Sequence, residues 1–197
     1  MVAYVIIPGI GGSDERHWQS LWEDRWGTSA VRIAPGSWTA PDLRDWVDSV
    51  QTAYELASGR DEGRDEGRGE GRDGRVVLVA HSLGCWAAAQ WLDRARPRGV
   101  AAFLVAPPDR RGPAFPREAA STFLDLTARP LPGRSLMVTS DDDPYCDPTA
   151  SATLAAGWQT PWRSVGEHGH INSGSGLGDW QAGRELLRAL VDGSAAS

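Results

Sequence analysis

Val76-Val77-Leu78-Val79-Ala80-His81-Ser82-Leu83-Gly84-Cys85-Trp86-Ala87-Ala88-Ala89 is the stretch that decides the fold. An apolar run rich in β-branched residues stops at a serine flanked by small residues, and an alanine-rich segment follows. That pattern predicts a buried strand, a sharp turn and a helix, with Ser82 presented at the turn. Small residues at Ala80 and Gly84 let the two arms approach closely, where bulky side chains would clash. The helix beginning just past Ser82 would aim its first N–H groups, that of Leu83 among them, at negative charge forming beside the serine. Such elbows usually read Gly-x-Ser-x-Gly; here Ala80 stands in the first glycine's place, the mildest replacement available. The competing reading makes Ser82 a plain helix cap in a buried turn.

Outward from the elbow the chain alternates strand-like and helix-like segments. Strands are expected at Ala3–Ile7, Val31–Ala34, Val76–Ala80, Val100–Ala106, Ser135–Thr139 and, weakly, Trp162–Val165. Helices are expected at Asp14–Trp26, Pro41–Ala57, Leu83–Ala95, Pro116–Thr127, Pro148–Ala156 and Asp179–Asp192, with Pro41 in a first turn and Asp179 as a cap. Alternation of this kind implies a parallel sheet covered on both faces. Right-handed crossovers then favour the strand order 2-1-3-4-5-6, with a ligand site at the switch point between strands 1 and 3. Residues 58–75 break the pattern: repeated Gly, Arg, Asp and Glu without an apolar residue cannot offset their ordering entropy, and they read as a disordered insert within one domain spanning 1–197.

Composition narrows the function. The 197 residues are 41% hydrophobic, enough for a sizeable core. A net charge of -6 offers no basic field to a nucleic acid. All 20 basic residues are arginine, which excludes phosphate-loop NTPases and Schiff-base chemistry, both of which need a lysine amine. Cys85 and Cys146 make neither a disulfide framework nor a metal quartet, and Cys85 is expected to pack under the elbow. The short N-terminal run Val2–Ile7 does not read as a signal peptide, and no apolar run approaches the ~20 residues of a membrane span; a soluble cytoplasmic protein is expected. Trp18, Trp22 and Trp26 lie four apart, as a core-packing helix stripe.

The loops after the strands carry the chemistry. The first reads Pro8-Gly9-Ile10-Gly11-Gly12-Ser13, whose glycines leave backbone N–H groups free to point inward; Ile10 and Leu83 are the expected oxyanion donors. It is not a dinucleotide fingerprint: Asp14 holds the third glycine position, and Ile33-Ala34-Pro35 supplies no acid for a ribose. Strand 5 runs into Ser140-Asp141-Asp142-Asp143-Pro144-Tyr145, where Pro144 keeps Asp143 extended and makes it the first choice to orient a histidine, with Asp109 second. The last strand leads into Gly166-Glu167-His168-Gly169-His170, placing two candidate bases on the same rim. His81 adjoins Ser82, its ring turned away along the elbow. With Gly9, Gly11 and Trp180 it makes up the expected substrate-binding residues, the last beside the glycine-rich loop 172–178. His168 and His170, two apart, lack a third ligand for a metal.

Together these motifs resemble the small serine hydrolases of the retinoblastoma-binding-protein-nine family and its bacterial YdeN-like branch. The likeness rests on Pro8–Ser13 with Trp18, on His81-Ser82-Leu83-Gly84, on Ser140–Tyr145 and on Gly169-His170-Ile171-Asn172, and spans nearly the whole chain outside the insert. It implies an α/β-hydrolase fold, a three-layer α/β/α sandwich with a mostly parallel six-stranded sheet. It also implies a Ser82, Asp143, His170 triad, selecting His170 over His168. The chain is expected to be a cofactor-free serine hydrolase of carboxylic esters or related small acyl substrates. Two rivals are a non-catalytic module that binds a protein partner through its tryptophans, and an amidase or acyltransferase on the same triad.

Overall fold

The computed structural model describes residues 2–62 and 75–193. In chain order the elements are β1 (Val2–Ile7), α1 (Trp18–Trp26), β2 (Ala30–Arg32), α2 (Leu43–Glu62), β3 (Arg75–His81), α3 (Leu83–Ala95), β4 (Val100–Val105), β5 (Arg134–Thr139), α4 (Pro148–Trp158), β6 (Trp162–Ser164) and α5 (Gln181–Asp192). The six strands form one sheet in the order β2-β1-β3-β4-β5-β6, every adjacent pair parallel. The β-branched runs and the right-handed crossover rule therefore foretell the topology correctly.

Alternate strand residues feed two cores, because successive side chains of a strand point to opposite faces. Val5, Ile7, Leu78 and Ala80 pack with Trp46, Trp86, Trp91 and Trp158 under α2, α3 and α4. Ile6, Val77, Val79 and Phe103 pack with Trp18, Trp22, Trp180 and Leu187 under α1 and α5. The result is three layers, helices on both faces of the sheet. The tryptophan stripe of α1 is core, as its spacing suggests: Trp18 and Trp22 are buried, and Trp26 stacks on Tyr4 with ring centroids 3.8 Å apart.

Several boundaries depart from the sequence reading. α2 starts at Leu43, not in a turn holding Pro41; the Asp42 carboxylate accepts the Asp45 N–H at 3.0 Å and caps it. At its other end α2 continues to Glu62, five residues into the stretch read as an insert, while 63–74 lie outside the described residues. α1 begins only at Trp18, capped by His17, whose Nδ1 accepts the Gln19 N–H. No α-helix occupies 116–127; a single 3-10 turn, Ser121–Phe123, stands there. Asp179 does not cap α5. Its carboxylate binds Arg25 and Arg184, and its carbonyl accepts the Trp22 indole N–H. Among the described residues no helix is long and apolar enough to cross a membrane.

Candidate active site

Ser82 sits where β3 meets α3, with φ 54° and ψ −128°. That conformation is costly for a residue with a side chain and persists only where surroundings enforce it. Here the Ser82 N–H donates to Val105 O on β4, and α3 begins one residue later. Two glycines make room. A Cβ on Gly84 would lie 2.4 Å from the carbonyl oxygens of Ile7 and Pro8, and one on Gly9 would lie 2.7 Å from the Ser82 Cβ. The β1–α1 loop thus crosses directly over the serine. Ala80 is fully buried with its methyl in the core, so glycine is not required there. Ser82 occupies the cap position of α3, yet its side chain makes no capping bond. Its Oγ lies 2.8 Å from His170 Nε2 instead.

The other nitrogen of that ring faces Asp143. His170 Nδ1 is 3.0 and 2.9 Å from the two carboxylate oxygens, and Oδ1 also accepts the Tyr145 N–H at 2.9 Å. The Asp143 side chain is 1% exposed and that of His170 10%, so the contact is shielded from water. The neighbouring acids are engaged in holding the loop. Asp142 Oδ1 accepts the Ser140 hydroxyl and the Gly169 N–H, and those bonds, the hydroxyl first, keep its carboxyl below the usual range. Asp141 accepts the Ser164 hydroxyl. Asp109, the second sequence candidate, accepts the Arg111 N–H and lines a separate cavity beside Trp86. His168 braces the loop through its backbone, donating N–H to Ser140 Oγ and accepting the Ser175 hydroxyl.

A cavity of about 750 Å³ opens over Ser82 and His170. Ile10 and Leu83 both line it. The Leu83 N–H belongs to the first turn of α3, where no intrahelical acceptor exists. The Ile10 N–H has no partner among the described residues, although Gly11 N–H is taken by Trp38 O and Gly12 N–H by Gly9 O. Of the expected wall residues, Gly9 and His81 touch the cavity. Gly11 does not; with its N–H turned to Trp38 it leaves the wall to Gly12. Trp180 does not either. A left-handed backbone (φ 39°) folds its indole inward against Trp18, Trp22 and Phe103, where it is 4% exposed. From the glycine-rich loop it is Asn172, Ser173 and Gly174 that reach the cavity.

Sequence reasoning gave no role to two further wall residues. Tyr145 lays its ring 4.5 Å from that of His170 and is 37% exposed. His17, read as an ordinary helix residue, is buried with its ring 4.8 Å from His81. Burial pushes the His17 imidazole down to about 4 and that of His81 well below its ordinary value, so both rings are neutral at pH 7. The available signal was positional, since a residue on the loop after strand 1 must border the elbow. Among the described residues no group of three His, Cys, Asp or Glu could hold a metal ion.

Residues 4–61 and 67–189 match the family model described as serine hydrolase. In structure the chain is similar to a protein described as a YdeN-like hydrolase from Pectobacterium atrosepticum, at 28% identity and TM-score 0.75, covering 98% of this chain and 91% of that one. It is also similar to the ydeN gene product of B. subtilis, at 20% identity and TM-score 0.74, covering 97% and 98%. Est1E of Butyrivibrio proteoclasticus, solved with ferulic acid bound, shares the fold at 12% identity and TM-score 0.64, covering 98% and 87%. No curated protein matches the chain significantly in sequence. With 181 residues inside the matched segments, 58 in the first and 123 in the second, the chain belongs to the serine hydrolase family, and it shares the α/β-hydrolase fold with the YdeN-like hydrolases.

Proposed function

We propose that the protein cleaves carboxylic esters, or closely related small acyl compounds, through a covalent acyl-serine. Ser82 Oγ attacks the carbonyl carbon as His170 Nε2 takes its proton. The carbonyl oxygen becomes an oxyanion, held by the N–H groups of Leu83 and Ile10; losing one such donor typically costs roughly 10²–10³ in turnover. His170 then returns the proton to the departing alkoxide, and the C–O bond of the ester breaks. A water, deprotonated by the same nitrogen, attacks the acyl-serine and releases the acid. Asp143 keeps the His170 proton on Nδ1 in the resting enzyme and stabilises the imidazolium that forms in each half-reaction.

The observation that carries this reading is the unbroken hydrogen-bonded line from Ser82 Oγ through both nitrogens of His170 to a buried carboxylate. The histidines next to it add support. Were His17 and His81 charged, an imidazolium at His170, whose ring is 5.0 Å from that of His81, would be opposed; neutral, they leave it unopposed. The cavity offers both polar and apolar lining to an ester. Asp14, Arg16, Asn172 and Ser173 line it, as do Leu83, Pro108, Pro116 and Tyr145. A fluorophosphonate probe should label the wild-type protein and leave Ser82→Ala unlabelled, in step with loss of nitrophenyl ester hydrolysis. Equal labelling of the two proteins would remove Ser82 from the mechanism.

A further inference from the structure

We infer that His81 is a positioning residue for the base: its imidazole holds the main chain of His170 and so sets the register of the loop that delivers the base to Ser82. The inference rests on the roles proposed above for Ser82 and His170.

The loop faces a geometric problem. β6 is three residues long and lies at the sheet edge, with β5 and β4 between it and β3. The segment leaving β6 must therefore travel back across the ends of two strands before His170 can meet Ser82. It does so with positive φ at Gly169 (55°) and at Ile171 (47°), on both sides of the base. A β-branched residue in that region is strained and stays there only when tertiary contacts over-determine it. Two successive carbonyls supply the contacts. Ile171 O accepts the Trp18 indole N–H at 2.8 Å, tying the loop to α1. His170 O lies 2.9 Å from His81 Nε2, tying it to the residue before the nucleophile.

The second tie is the one that couples nucleophile and base. His81 ends β3, whose backbone is fixed by parallel pairing on both sides, and the side chain is 5% exposed. Its ring packs against those of His17 from the β1–α1 loop, Trp18 from α1 and His170 from the β6–α5 loop, none of which is an acid. A carbonyl only accepts, so the proton of a neutral His81 ring belongs on Nε2. Burial keeps the ring neutral, which makes it a donor of fixed direction. A leucine at 81 would fill most of the space and leave the His170 carbonyl without its donor. A glutamine carries an N–H at nearly the same distance along the side chain.

The test compares His81→Leu with His81→Gln in the full chain. Removing the donor to this part-buried acceptor should lower kcat on a neutral nitrophenyl ester by about 10- to 100-fold in the leucine variant, with KM within about two-fold. Fluorophosphonate labelling should slow in parallel, and glutamine should restore kcat to within about three-fold of wild type. An unimpaired leucine variant, or equal losses in both variants tracking their melting temperatures, would reduce His81 to packing and overturn the inference. Wild-type protein gives a second measurement that needs no variant. Nitrogen-15 spectra of the histidine rings should show His81 protonated on Nε2 alone across the neutral range; a proton on Nδ1 alone overturns the inference. The Ser82→Ala control separates the two levels, because labelling that survives in it refutes the nucleophile and not the His81 tether.

Discussion

Replacing Asp143 by asparagine should invert the proton on the base while leaving the fold in place. The Tyr145 N–H donates to Asp143 Oδ1 at 2.9 Å, so an amide at 143 keeps its oxygen on that donor. Its NH2 group then takes the place of Oδ2, 2.9 Å from His170 Nδ1. A donor there requires a lone pair on Nδ1, which sends the ring proton to Nε2, 2.8 Å from Ser82 Oγ. A nitrogen that already carries its proton has nothing with which to accept another. The loss characteristic of that wrong tautomer is about 10⁴-fold in kcat, roughly 5 kcal/mol of barrier. The assay is steady-state hydrolysis of a nitrophenyl ester by Asp143→Asn, with Asp109→Asn alongside and thermal melting of both. Asp109→Asn should keep wild-type activity, because that carboxylate serves the Arg111 N–H beside another cavity. A folded Asp143→Asn variant retaining more than about a tenth of the activity would refute the reasoning, as would an equal fall in Asp109→Asn.

Gly84→Ala would place a methyl 2.4 Å from two backbone oxygens. Since neither can yield as a flexible side chain would, the variant should lose at least the roughly 1–3 kcal/mol of an overpacked core in urea denaturation, along with most of whatever nitrophenyl ester hydrolysis the wild type shows. The His17 ring, neutral in the native state to about pH 4, titrates near 6.5 once unfolded, so the unfolded chain binds the extra proton between those values. Stability should therefore fall as pH drops through that window, by up to about 3 kcal/mol from this residue. Denaturation series at pH 7 and pH 4 on wild type and His17→Gln check the sign, and the glutamine variant should show the smaller loss. Both thiols are buried and pushed upward, Cys146 to about 11 and Cys85 well above its ordinary value, in each case mainly by burial. A disulfide reagent at pH 8 should find neither in the native protein and both after denaturation; rapid native labelling would contradict the packing.

The sheet was legible because its information is local. β-branched runs such as Val76–Val79 have few alternatives in a chain that alternates strand with helix, and crossover handedness orders them. The elbow and the acid before Pro144 stand in short, well-marked loops for the same reason, whereas the loop after the last strand offered His168 and His170 alike and only the family resemblance preferred His170. What escaped depended on distant partners. The 116–127 stretch carries helix-length spacing, but burying Phe115, Ala120 and Phe123 while the Thr122 hydroxyl accepts the Leu43 N–H bends it into turns. Trp180 looked like a pocket wall by sequence adjacency, and a positive φ sends its indole the other way. Asp179 had the type and position of a cap, yet two arginines claim its carboxylate. His17 gave no pattern at all, because its burial comes from a loop that folds over the elbow.

The indoles of Trp18, Trp22 and Trp180 form one tight group, with Trp22 and Trp180 5.9 Å apart and only 14° from coplanar. Transition dipoles so close and so rigidly oriented couple, and coupled indoles give strong near-ultraviolet circular dichroism. One member of the group, Trp18, grips the main chain next to His170. An optical signal that needs neither substrate nor label thereby reports whether that loop is docked, and unfolding followed at this wavelength would reveal if the rim around Ser82 and His170 loosens before the sheet beneath it.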